Sequence, residues 1–540
     1  AIAKAALHSN PLPLWKRADI LDRAAARLTA RREEFAQIIA KEAAKPIKTA
    51  RVEAERAAGT FQFAAAEARK LSGEMIPLDA IPAGEGKVGF TLRIPIGVVG
   101  AIAPFNFPLN LVVHKVGPAI AAGCPVVLKP ASQTPFSSLA LAQMLIDECG
   151  LPPEYLQVVT GGGSTVGNAI VDHPDIALIT FTGSPEVGWG IRARAPRKRV
   201  GLELGNNAPC IIEADGDWRA AAAKIKMAGF SHAGQSCIST QRVLVHRSIA
   251  DEFTAALVAH VDTLVVGDPL DEATDVSALI SKGERDRVAG WVEEARAAGA
   301  TVATGGSLTD DGVLRPTVIA NATPDLKVCA QEVFGPVVTV TAYDTLDEAI
   351  ALANDTKFGL QAAIFTCDIT KALQAVHTLD FGGVLVNEVP TWRADQQPYG
   401  GLRDSGNTRE GPAFSVKEMP IRWGVLGGSG HIFRKSLRPA MLAAGHTIAA
   451  EPSREGESLA PYSAMLARRD IDAVYNPLPN HLHAEWTHRA LDAGKHVLCE
   501  KPLALSVAEA EAMLVAAGTH GVVLLEAFPY MFQPQTLEPE

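Results

Sequence analysis

The chain has 540 residues, of which 47% are hydrophobic and 20% charged, and its formal net charge is -10. This length exceeds what one hydrophobic core supports and predicts three or four domain-sized units, while the composition argues against disorder. The negative net charge and the lack of a block of basic residues in the sequence disfavour nucleic acid as a partner. The apolar runs are interrupted before they reach the length of a membrane span.

The seven cysteines are odd in number, lie far apart and show no CxxC spacing. Such a pattern indicates neither a disulfide framework nor a zinc site. We therefore predict no metal centre and expect a reducing, cytoplasmic location. The opening residues agree with this expectation, because they do not have the charged and apolar regions of a secretion signal.

Amphipathic patterns rich in Ala, Glu and Arg fill residues 18–71 and predict two or three helices. From Gly97 the pattern changes to short apolar runs that alternate with longer helical stretches, as in "GVVGAIAP", "LNLVVHKVGPAIAAG" and "PVVLKP". A second series of this kind follows Glu203. Apolar strands alternating with helices predict a parallel sheet covered on both faces. Around Pro420 the chain begins a new α/β unit, which is the clearest predicted boundary.

The stretch "GQSCISTQR" places Cys237 among small and polar residues, at a predicted turn between a helix and a strand. For any single cysteine a place in the core is the commoner outcome, and Cys210 in "APCII" fits it. The approach to Cys237 is instead flexible, with backbone N–H groups that can face an oxyanion. The position favours a reactive thiolate, although the stretch alone leaves both interpretations open.

Further motifs follow one another in a fixed order: "PFNFP", "VVLKPASQTP", "FTGS", "ELG", "GQSC" and "EVFGPV". In this order and spacing, residues 1 to about 420 resemble the aldehyde dehydrogenase superfamily. The resemblance implies an α/β fold with a Rossmann-like cofactor domain, an α/β catalytic domain and a small oligomerisation arm. It also implies NADP or NAD as cofactor, a small-molecule aldehyde as substrate, and a homo-oligomer, either a dimer or a tetramer. Against the family pattern, we expect the amino-terminal edge of the cofactor domain to be incomplete.

The resemblance assigns three catalytic residues. Cys237 matches the nucleophile that attacks the aldehyde carbonyl. The side-chain amide of Asn106 and the backbone N–H of Cys237 match the donors to the resulting oxyanion. Glu203 matches the base that activates water to hydrolyse the thioester left after hydride transfer. Taken singly, Glu203 is also explained as a solvated carboxylate and Asn106 as a turn residue.

The resemblance also assigns cofactor contacts. Lys129 matches the residue that reaches the adenosine ribose. Ser132 stands where members restricted to NAD often have a Glu that repels a 2'-phosphate, so the sequence predicts that NADP is tolerated. Gly183, Ser184 and Gly188 are predicted at a helix N-terminus that holds the pyrophosphate.

Two positions near the nicotinamide follow from the same resemblance. Glu332 matches the partner of the nicotinamide ribose, and Phe334 matches the ring that packs beside the nicotinamide, with a core Phe as the alternative. The segment "ELGNNAP" differs from the commoner family pattern at Asn206 and Asn207, close to the predicted base. These differences leave the subfamily and the substrate open.

The segment "PTWRADQQPYGG" places Trp392 and Arg393 in a loop that in the family often borders the substrate entrance. An Arg at this place can pair with an anionic group of a semialdehyde, a phosphorylated aldehyde or a lactaldehyde. A solvated Arg is an equally good interpretation of the sequence.

Four domains, with three boundaries between them, are predicted. The NAD(P)-binding domain covers 1–204, with part of the oligomerisation arm near 86–96. The catalytic domain covers 205–388, and the carboxy-terminal arm covers 389–420. Residues 421–540 form the last unit.

Residues 421–540 resemble a different family, the glucose-fructose oxidoreductase and inositol dehydrogenase group, in "DIDAVYNPLPNHLHAEW" and "AGKHVLCEKPLALS". The resemblance implies that Lys501 lies at a nicotinamide site and that Ser453 and Arg454 favour a 2'-phosphate. The glycine loop reads "GGSGH" and lacks a clean GxGxxG. We therefore expect a partial Rossmann half-domain without turnover.

Two other functions remain open from the sequence. The first is a CoA-acylating aldehyde dehydrogenase, which passes the acyl group to the thiol of CoA. The presence of Glu203 favours transfer of the acyl group to water instead. The other alternative is that the protein is not an active enzyme but an inactive fusion protein that binds a dinucleotide.

Overall fold

A computed structural model gives the fold and describes residues 1–73, 75–76, 89–90, 93–418, 422–425, 447–450, 460–468 and 470–527. Its internal contacts divide the chain into two units. The first unit comprises residues 1–69 and 97–417, and the second comprises 70–96 and 418–540.

The helices are α1 (Ile2–Ser9), α2 (Leu14–Ala30), α3 (Arg32–Ala43), α4 (Ile47–Lys70), α5 (Asn110–Ala122), α6 (Phe136–Asp147), α7 (Asn168–Asp172), α8 (Pro185–Arg194), α9 (Trp218–Phe230), α10 (Ala250–Val261), α11 (Lys282–Ala297), α12 (Lys327–Ala330), α13 (Leu346–Asn354), α14 (Ile369–Thr378), α15 (Pro412–Glu418), α16 (Ala460–Leu466), α17 (His483–Asp492) and α18 (Val507–His520). The strands are β1 (Met75–Ile76), β2 (Gly89–Phe90), β3 (Val98–Ile102), β4 (Val126–Lys129), β5 (Leu156–Val158), β6 (Ile176–Thr182), β7 (Arg199–Glu203), β8 (Pro209–Ile212), β9 (Arg242–His246), β10 (Thr301–Thr304), β11 (Thr317–Ala320), β12 (Val337–Tyr343), β13 (Gln361–Phe365), β14 (Gly383–Val386), β15 (Arg422–Val425), β16 (Thr447–Ala450), β17 (Ala473–Asn476), β18 (His496–Glu500) and β19 (Leu524–Ala527).

The amino-terminal segment folds into α1 to α4, and three of these helices, α2 to α4, account for the amphipathic pattern of residues 18–71. Helix α3 ends at Ala43 because Ala44 adopts a left-handed conformation, with φ of 51°. Pro46, whose ring fixes its own φ and which has no N–H to donate, then separates α3 from α4.

The first sheet of unit 1 is parallel, with the strand order β5-β4-β3-β6-β7. Ile102 at the end of β3 pairs with Lys129 on one side and Phe181 on the other, and Thr182 pairs with Glu203. The carboxyl ends of these strands therefore meet at one edge of the sheet, which is where ligands bind in open α/β sheets.

The second sheet of unit 1 has the order β10-β11-β12-β9-β8-β13-β14, with only β10 antiparallel to its neighbour. Helices α9, α10 and α11 pack residues such as Phe230, Phe253 and Val288 against one face of this sheet. Strand β14 forms an edge, and Val386 at its end is exposed. The predicted second α/β series is thus a second sheet with its own core.

In unit 2, β1 and β2 pair antiparallel, and a parallel sheet has the order β16-β15-β17-β18-β19. Trp486 on α17 and Met513 on α18 are fully buried in its core. The predicted glycine loop after β15, Ser453 and Arg454 lie outside the described residues, as do residues 86–88 and 91–92 of the predicted oligomerisation arm near 86–96. Among the helices described, none has the length and apolar character that a membrane crossing needs.

Candidate active site

A cavity of about 1010 Å³ opens at the carboxyl edge of the first sheet, within unit 1. Its lining includes eight of the ten predicted site residues: Asn106, Lys129, Ser132, Gly183, Ser184, Cys237, Glu332 and Phe334. Gly188 and Glu203 do not line it, although Leu204, next to Glu203, does. Residues that lie as far apart in the sequence as positions 106 and 334 are therefore brought together around one space.

The first group of lining residues follows β4. Lys129 ends this strand and is almost fully buried, with Nζ donating a hydrogen bond of 3.1 Å to the carbonyl of Pro130. Burial lowers the pKa of its ammonium group. Three residues later, Ser132 Oγ donates to the carbonyl of Gly161 at 3.0 Å. This end of the cavity thus offers one cation and one hydroxyl, and no carboxylate at position 132.

The N-terminus of α8 forms the next part of the lining. Ser184 is its N-cap residue and accepts a hydrogen bond from the backbone N–H of Val187 at 3.4 Å. Gly188 lies behind the cavity, where an added Cβ would stand 2.4 Å from Leu204 Cδ2. Gly188 therefore permits α8 to pack closely against Leu204. Of the three residues predicted at this helix N-terminus, Gly183 and Ser184 line the cavity and Gly188 does not.

The loop before Cys237 has an unusual backbone. His232, Ala233 and Gly234 have φ values of 50°, 53° and 70°, all in the left-handed region. At Gly234 a Cβ would meet the carbonyl oxygen of Gly335 at 2.1 Å, so this position requires glycine. Non-glycine residues held in this region store strain and persist only where their surroundings impose the conformation.

Gln235 is one such constraint on the loop. Its Oε1 accepts from the backbone N–H of Ile280 at 3.0 Å, and its Nε2 donates to the carbonyl of His232 at 3.2 Å. Its own carbonyl accepts a hydrogen bond from Asn106 Nδ2. Asn106 is buried, and its Oδ1 accepts from the backbone N–H of Phe107 at 3.1 Å. The predicted oxyanion donor thus also ties two loops together.

Cys237 is half-buried, and its Sγ lies 3.0 Å from the hydroxyl oxygen of Tyr399. Burial raises the pKa of the Cys237 thiol to about 12, against the lowering effect of this hydrogen bond. The motif "YGG" contains Tyr399, but sequence reasoning did not single out this residue. The motif gave no sign that its phenol faces the cysteine.

Glu203 ends β7 and is buried, with both carboxylate oxygens lacking a hydrogen-bond partner among the described residues. Its backbone forms an antiparallel bridge with Gly406. At Gly406 φ is 135°, and a Cβ would meet the Leu202 carbonyl oxygen at 2.2 Å, so only glycine allows this approach. Burial, followed by the negative charge of Glu410, raises the pKa of Glu203 well above its ordinary value.

Arg393 is buried and paired with a carboxylate of the chain, contrary to the interpretation of the sequence as a solvated Arg. Its Nη2 donates to Glu410 Oε2 at 3.0 Å, and the side chains of the two residues are only 5% and 6% exposed. Burial opposes ionisation of Glu410, but the positive charges around it, Arg393 among them, hold its pKa below the ordinary value. Trp392, in contrast, is 52% exposed.

Two buried polar residues of α5 escaped the sequence analysis. Lys115 Nζ donates to the hydroxyls of Thr180 and Thr182 at 3.2 and 2.6 Å, and burial lowers its pKa. His114 Nε2 lies 3.0 Å from Asp395 Oδ1. All residues of α5 are buried. A His-Lys pair within such an apolar helical run was the signal available in the sequence.

At the nicotinamide end predicted from the sequence, Glu332 Oε1 accepts from the backbone N–H of Asn206 at 2.9 Å. Burial raises the pKa of Glu332 to about 7. Phe334 has φ of 47° and packs edge-to-face on Phe105, with ring centroids 5.8 Å apart. Both residues face the cavity that Cys237 lines.

These features fit a dinucleotide. The cavity is at the upper end of the roughly 300 to 1,000 Å³ typical of small-molecule sites, and it contains a helix N-terminus suited to a phosphate. Its lining also includes both Lys129 and Cys237. Among the described residues, no group of three or more His, Cys, Asp or Glu could hold a metal ion. All seven cysteines are free thiols.

Comparison with known proteins agrees with this geometry. Residues 1–421 match the family model described as the aldehyde dehydrogenase family. A 3-sulfolactaldehyde dehydrogenase of Priestia aryabhattai is 46% identical over 419 residues, which cover 78% of this chain and 87% of the relative.

Two solved structures are similar to the same part of the chain. Glyceraldehyde-3-phosphate dehydrogenase GapN from Methanocaldococcus jannaschii, complexed with NADP, superposes with a TM-score of 0.74 at 39% identity, covering 77% of this chain and 91% of that one. Aldehyde dehydrogenase 21 from Physcomitrella patens, in complex with the reaction product succinate, gives a TM-score of 0.75 at 40% identity, covering 77% and 87%.

Residues 421–528 match a second family model, described as an oxidoreductase family with an NAD-binding Rossmann fold. The predicted α/β fold class and the predicted fusion are both confirmed. Because the first match spans most of the sequence, the chain belongs to the aldehyde dehydrogenase family, whose reaction is the NAD(P)-dependent oxidation of an aldehyde to a carboxylate.

Proposed function

We propose that Cys237 is the nucleophile of this reaction and that the oxidised substrate leaves as a free carboxylate through a thioester on Cys237. Its Sγ attacks the aldehyde carbon to form a thiohemiacetal. The bound nicotinamide supplies the hydride acceptor. The observation that carries the proposal is that Cys237 lines the same cavity as Lys129 and the N-terminus of α8.

Asn106 stabilises the oxyanion of the thiohemiacetal, together with the backbone N–H of Cys237. An amide nitrogen has two hydrogens, and the contact with Gln235 uses one of those on Nδ2. The second hydrogen is available to a negatively charged oxygen. Donors held in place before the reaction stabilise developing charge without reorganisation, and burial of Asn106 strengthens that effect.

Glu203 is the base that activates water to hydrolyse the thioester. Both of its buried carboxylate oxygens are available to accept a hydrogen bond from water. Its raised pKa brings the carboxylate closer to the range where a general base is effective. Acyl transfer to CoA is the competing outcome, and a product assay with and without CoA separates the two. We expect free carboxylate at an unchanged rate without CoA; a requirement for CoA would overturn the role of Glu203.

The cofactor is NADP or NAD, and it is held by Lys129, Ser132, Gly183, Ser184, Glu332 and Phe334. Gly188 contributes by letting α8 pack closely. Ser132 supports acceptance of NADP, because its neutral hydroxyl does not repel a 2'-phosphate. The ammonium group of Lys129, three residues away, is a cation within the same end of the cavity.

The substrate is a short aldehyde of the lactaldehyde or sulfolactaldehyde type. The 46% identity to a 3-sulfolactaldehyde dehydrogenase supports this choice. Arg393 forms an ion pair with Glu410 within the chain. Initial rates with 3-sulfolactaldehyde, lactaldehyde, glyceraldehyde 3-phosphate, succinate semialdehyde and hexanal test the proposal with both cofactors. We expect the first two to give the highest kcat/KM; a preference for hexanal would contradict it.

The protein acts as a dimer or tetramer in the cytoplasm. The edge strand β14, which ends at the exposed Val386, supports oligomerisation, because such an edge can accept a strand from another subunit. Free thiols support a reducing compartment.

The boundaries at 204, 388 and 420 stay predictions, and residues 421–540 are a dinucleotide-binding half-domain without turnover. Light scattering of the purified full chain measures the subunit number, and a monomer would contradict the proposal of a dimer or tetramer.

A further inference from the structure

The hydroxyl of Tyr399 touches the reacting atom of the proposed mechanism. Its oxygen lies 3.0 Å from Cys237 Sγ, and Tyr399 is 3% exposed. Among the described residues, Tyr399 is the one side chain hydrogen-bonded to this sulfur. The contact therefore lies within the protein interior, where a hydrogen bond to an ion is strong.

The proton of this hydrogen bond belongs to the phenol. Burial, together with the proximity of Cys237, raises the pKa of Tyr399 well above its ordinary value, so the phenol keeps its proton. A thiolate accepts hydrogen bonds and has no proton to donate. When Cys237 is ionised, the direction of the contact is therefore fixed, with Tyr399 as the donor.

Several contacts hold the Tyr399 ring in place. The guanidinium carbon of Arg393 lies 3.8 Å from the ring centroid. Arg393 is itself fixed by its buried ion pair with Glu410. Tyr399 and Glu410 also form an antiparallel backbone bridge, with N···O distances of 3.0 and 2.5 Å. Ile238 and Leu360 pack with Tyr399 in one small apolar cluster that Cys237 joins.

We propose that Tyr399 is a further catalytic residue, whose phenol donates a hydrogen bond to the Cys237 thiolate, increases the thiolate population and orients Sγ. The inference rests on the proposed role of Cys237 as the nucleophile. No bond to Tyr399 forms or breaks in the reaction. The thiol proton leaves to water, and the phenol proton remains on its oxygen.

Alkylation of Cys237 by iodoacetamide in the full chain, measured between about pH 6 and 10, tests the proposal directly. In Tyr399→Phe the ring remains and the donor is lost, so the thiolate population at neutral pH falls about tenfold. The remaining thiolate is more basic and therefore more nucleophilic, by roughly the square root of ten, which offsets part of this fall. The alkylation rate therefore falls about threefold, and its pH profile moves to higher pH. A purely structural role would not produce this shift. Peptide mass analysis identifies the alkylated cysteine.

Tyr343→Phe is the matched control, since it removes a buried phenol that bonds Glu213 and the Ile212 carbonyl and does not line the cavity. We expect it to leave the Cys237 profile unchanged. Fluorotyrosine introduced at position 399 provides a second variant that keeps the ring and donor. Its more acidic phenol is a stronger donor, so the Cys237 profile should move to lower pH.

Different outcomes overturn different claims. If Cys237 is alkylated with loss of activity but neither Tyr399 variant moves the profile, the role of Tyr399 is wrong and that of Cys237 stands. If complete alkylation of Cys237 leaves aldehyde oxidation intact, the proposed nucleophile is wrong and the inference about Tyr399 falls with it. Opposite shifts in the two variants would support both.

Discussion

Asn106 Nδ2 donates a hydrogen bond of 2.9 Å to the backbone carbonyl of Gln235, two residues before Cys237. This contact joins the loop that follows β3 to the loop that presents the cysteine. Both loops line the cavity. The position of the proposed nucleophile therefore depends on the same side chain that is proposed to stabilise the oxyanion.

Replacement of Asn106 by Ala removes this donor and the loop contact together. We expect kcat to fall about a hundredfold to a thousandfold, as for other single oxyanion donors, with cofactor affinity little changed. Steady-state kinetics and cofactor titration measure the two quantities. Asn354→Ala is the control, because Asn354 bonds Thr378 and Asp380 and does not line the cavity. A kcat for Asn106→Ala within threefold of the wild type would contradict the assignment.

Glu203→Gln separates formation of the thioester from its hydrolysis. The side chain keeps nearly the same shape but loses its basicity, so we expect one burst of reduced cofactor per active site. Steady turnover then falls at least about a hundredfold. Stopped-flow absorbance resolves both phases. Glu213→Gln, which alters a buried carboxyl bonded to Tyr343, serves as the control. Unimpaired turnover in Glu203→Gln would remove Glu203 as the base.

The raised pKa of Glu203 also predicts a pH-dependent stability difference. Above the ordinary carboxyl pKa the unfolded state has lost this proton while the native state still holds it, so the contribution of Glu203 to stability decreases as pH rises. Glu203→Gln removes that decrease. We expect its Tm, relative to the wild type, to be higher at pH 8 than at pH 5 in thermal melts. An equal Tm difference at both pH values would show that Glu203 is not desolvated in the native protein.

The sequence predicted the parts of the site that short motifs contain. Lys129 ends β4 and Ser184 follows β6, so the order of these parallel strands places both residues at one sheet edge. Contacts between distant segments were not predictable in this way. Cys237 and Tyr399 are 162 positions apart, and their contact depends on how the chain after β14 returns to the cavity.

The misinterpretation of Arg393 has the same physical origin. An Arg in a polar loop is normally solvated. Its burial here depends on Glu410, which approaches through the backbone bridge to Tyr399. The sequence also could not show that Gly188 permits close packing, with an added Cβ standing 2.4 Å from Leu204 Cδ2.

Cofactor preference depends on the charge at position 132. Ser132→Glu introduces a carboxylate near the expected place of the 2'-phosphate, so we expect kcat/KM for NADP to fall more than about tenfold. The value for NAD should change less than about threefold. Ser132→Ala is the neutral control and should leave the ratio near that of the wild type. Equal loss with both cofactors would mean that Ser132 does not lie near the 2'-position.

The central claim is that the acyl group is attached to Cys237 before water releases it. In Glu203→Gln, mixed with NADP and an accepted aldehyde and quenched within the first turnover, mass analysis should find the acyl group on the Cys237 peptide. It should be present in a one-to-one ratio with the reduced cofactor. Cys237→Ala should give neither product. Reduced cofactor formed in Cys237→Ala, or an acyl group found on another residue, would contradict the account.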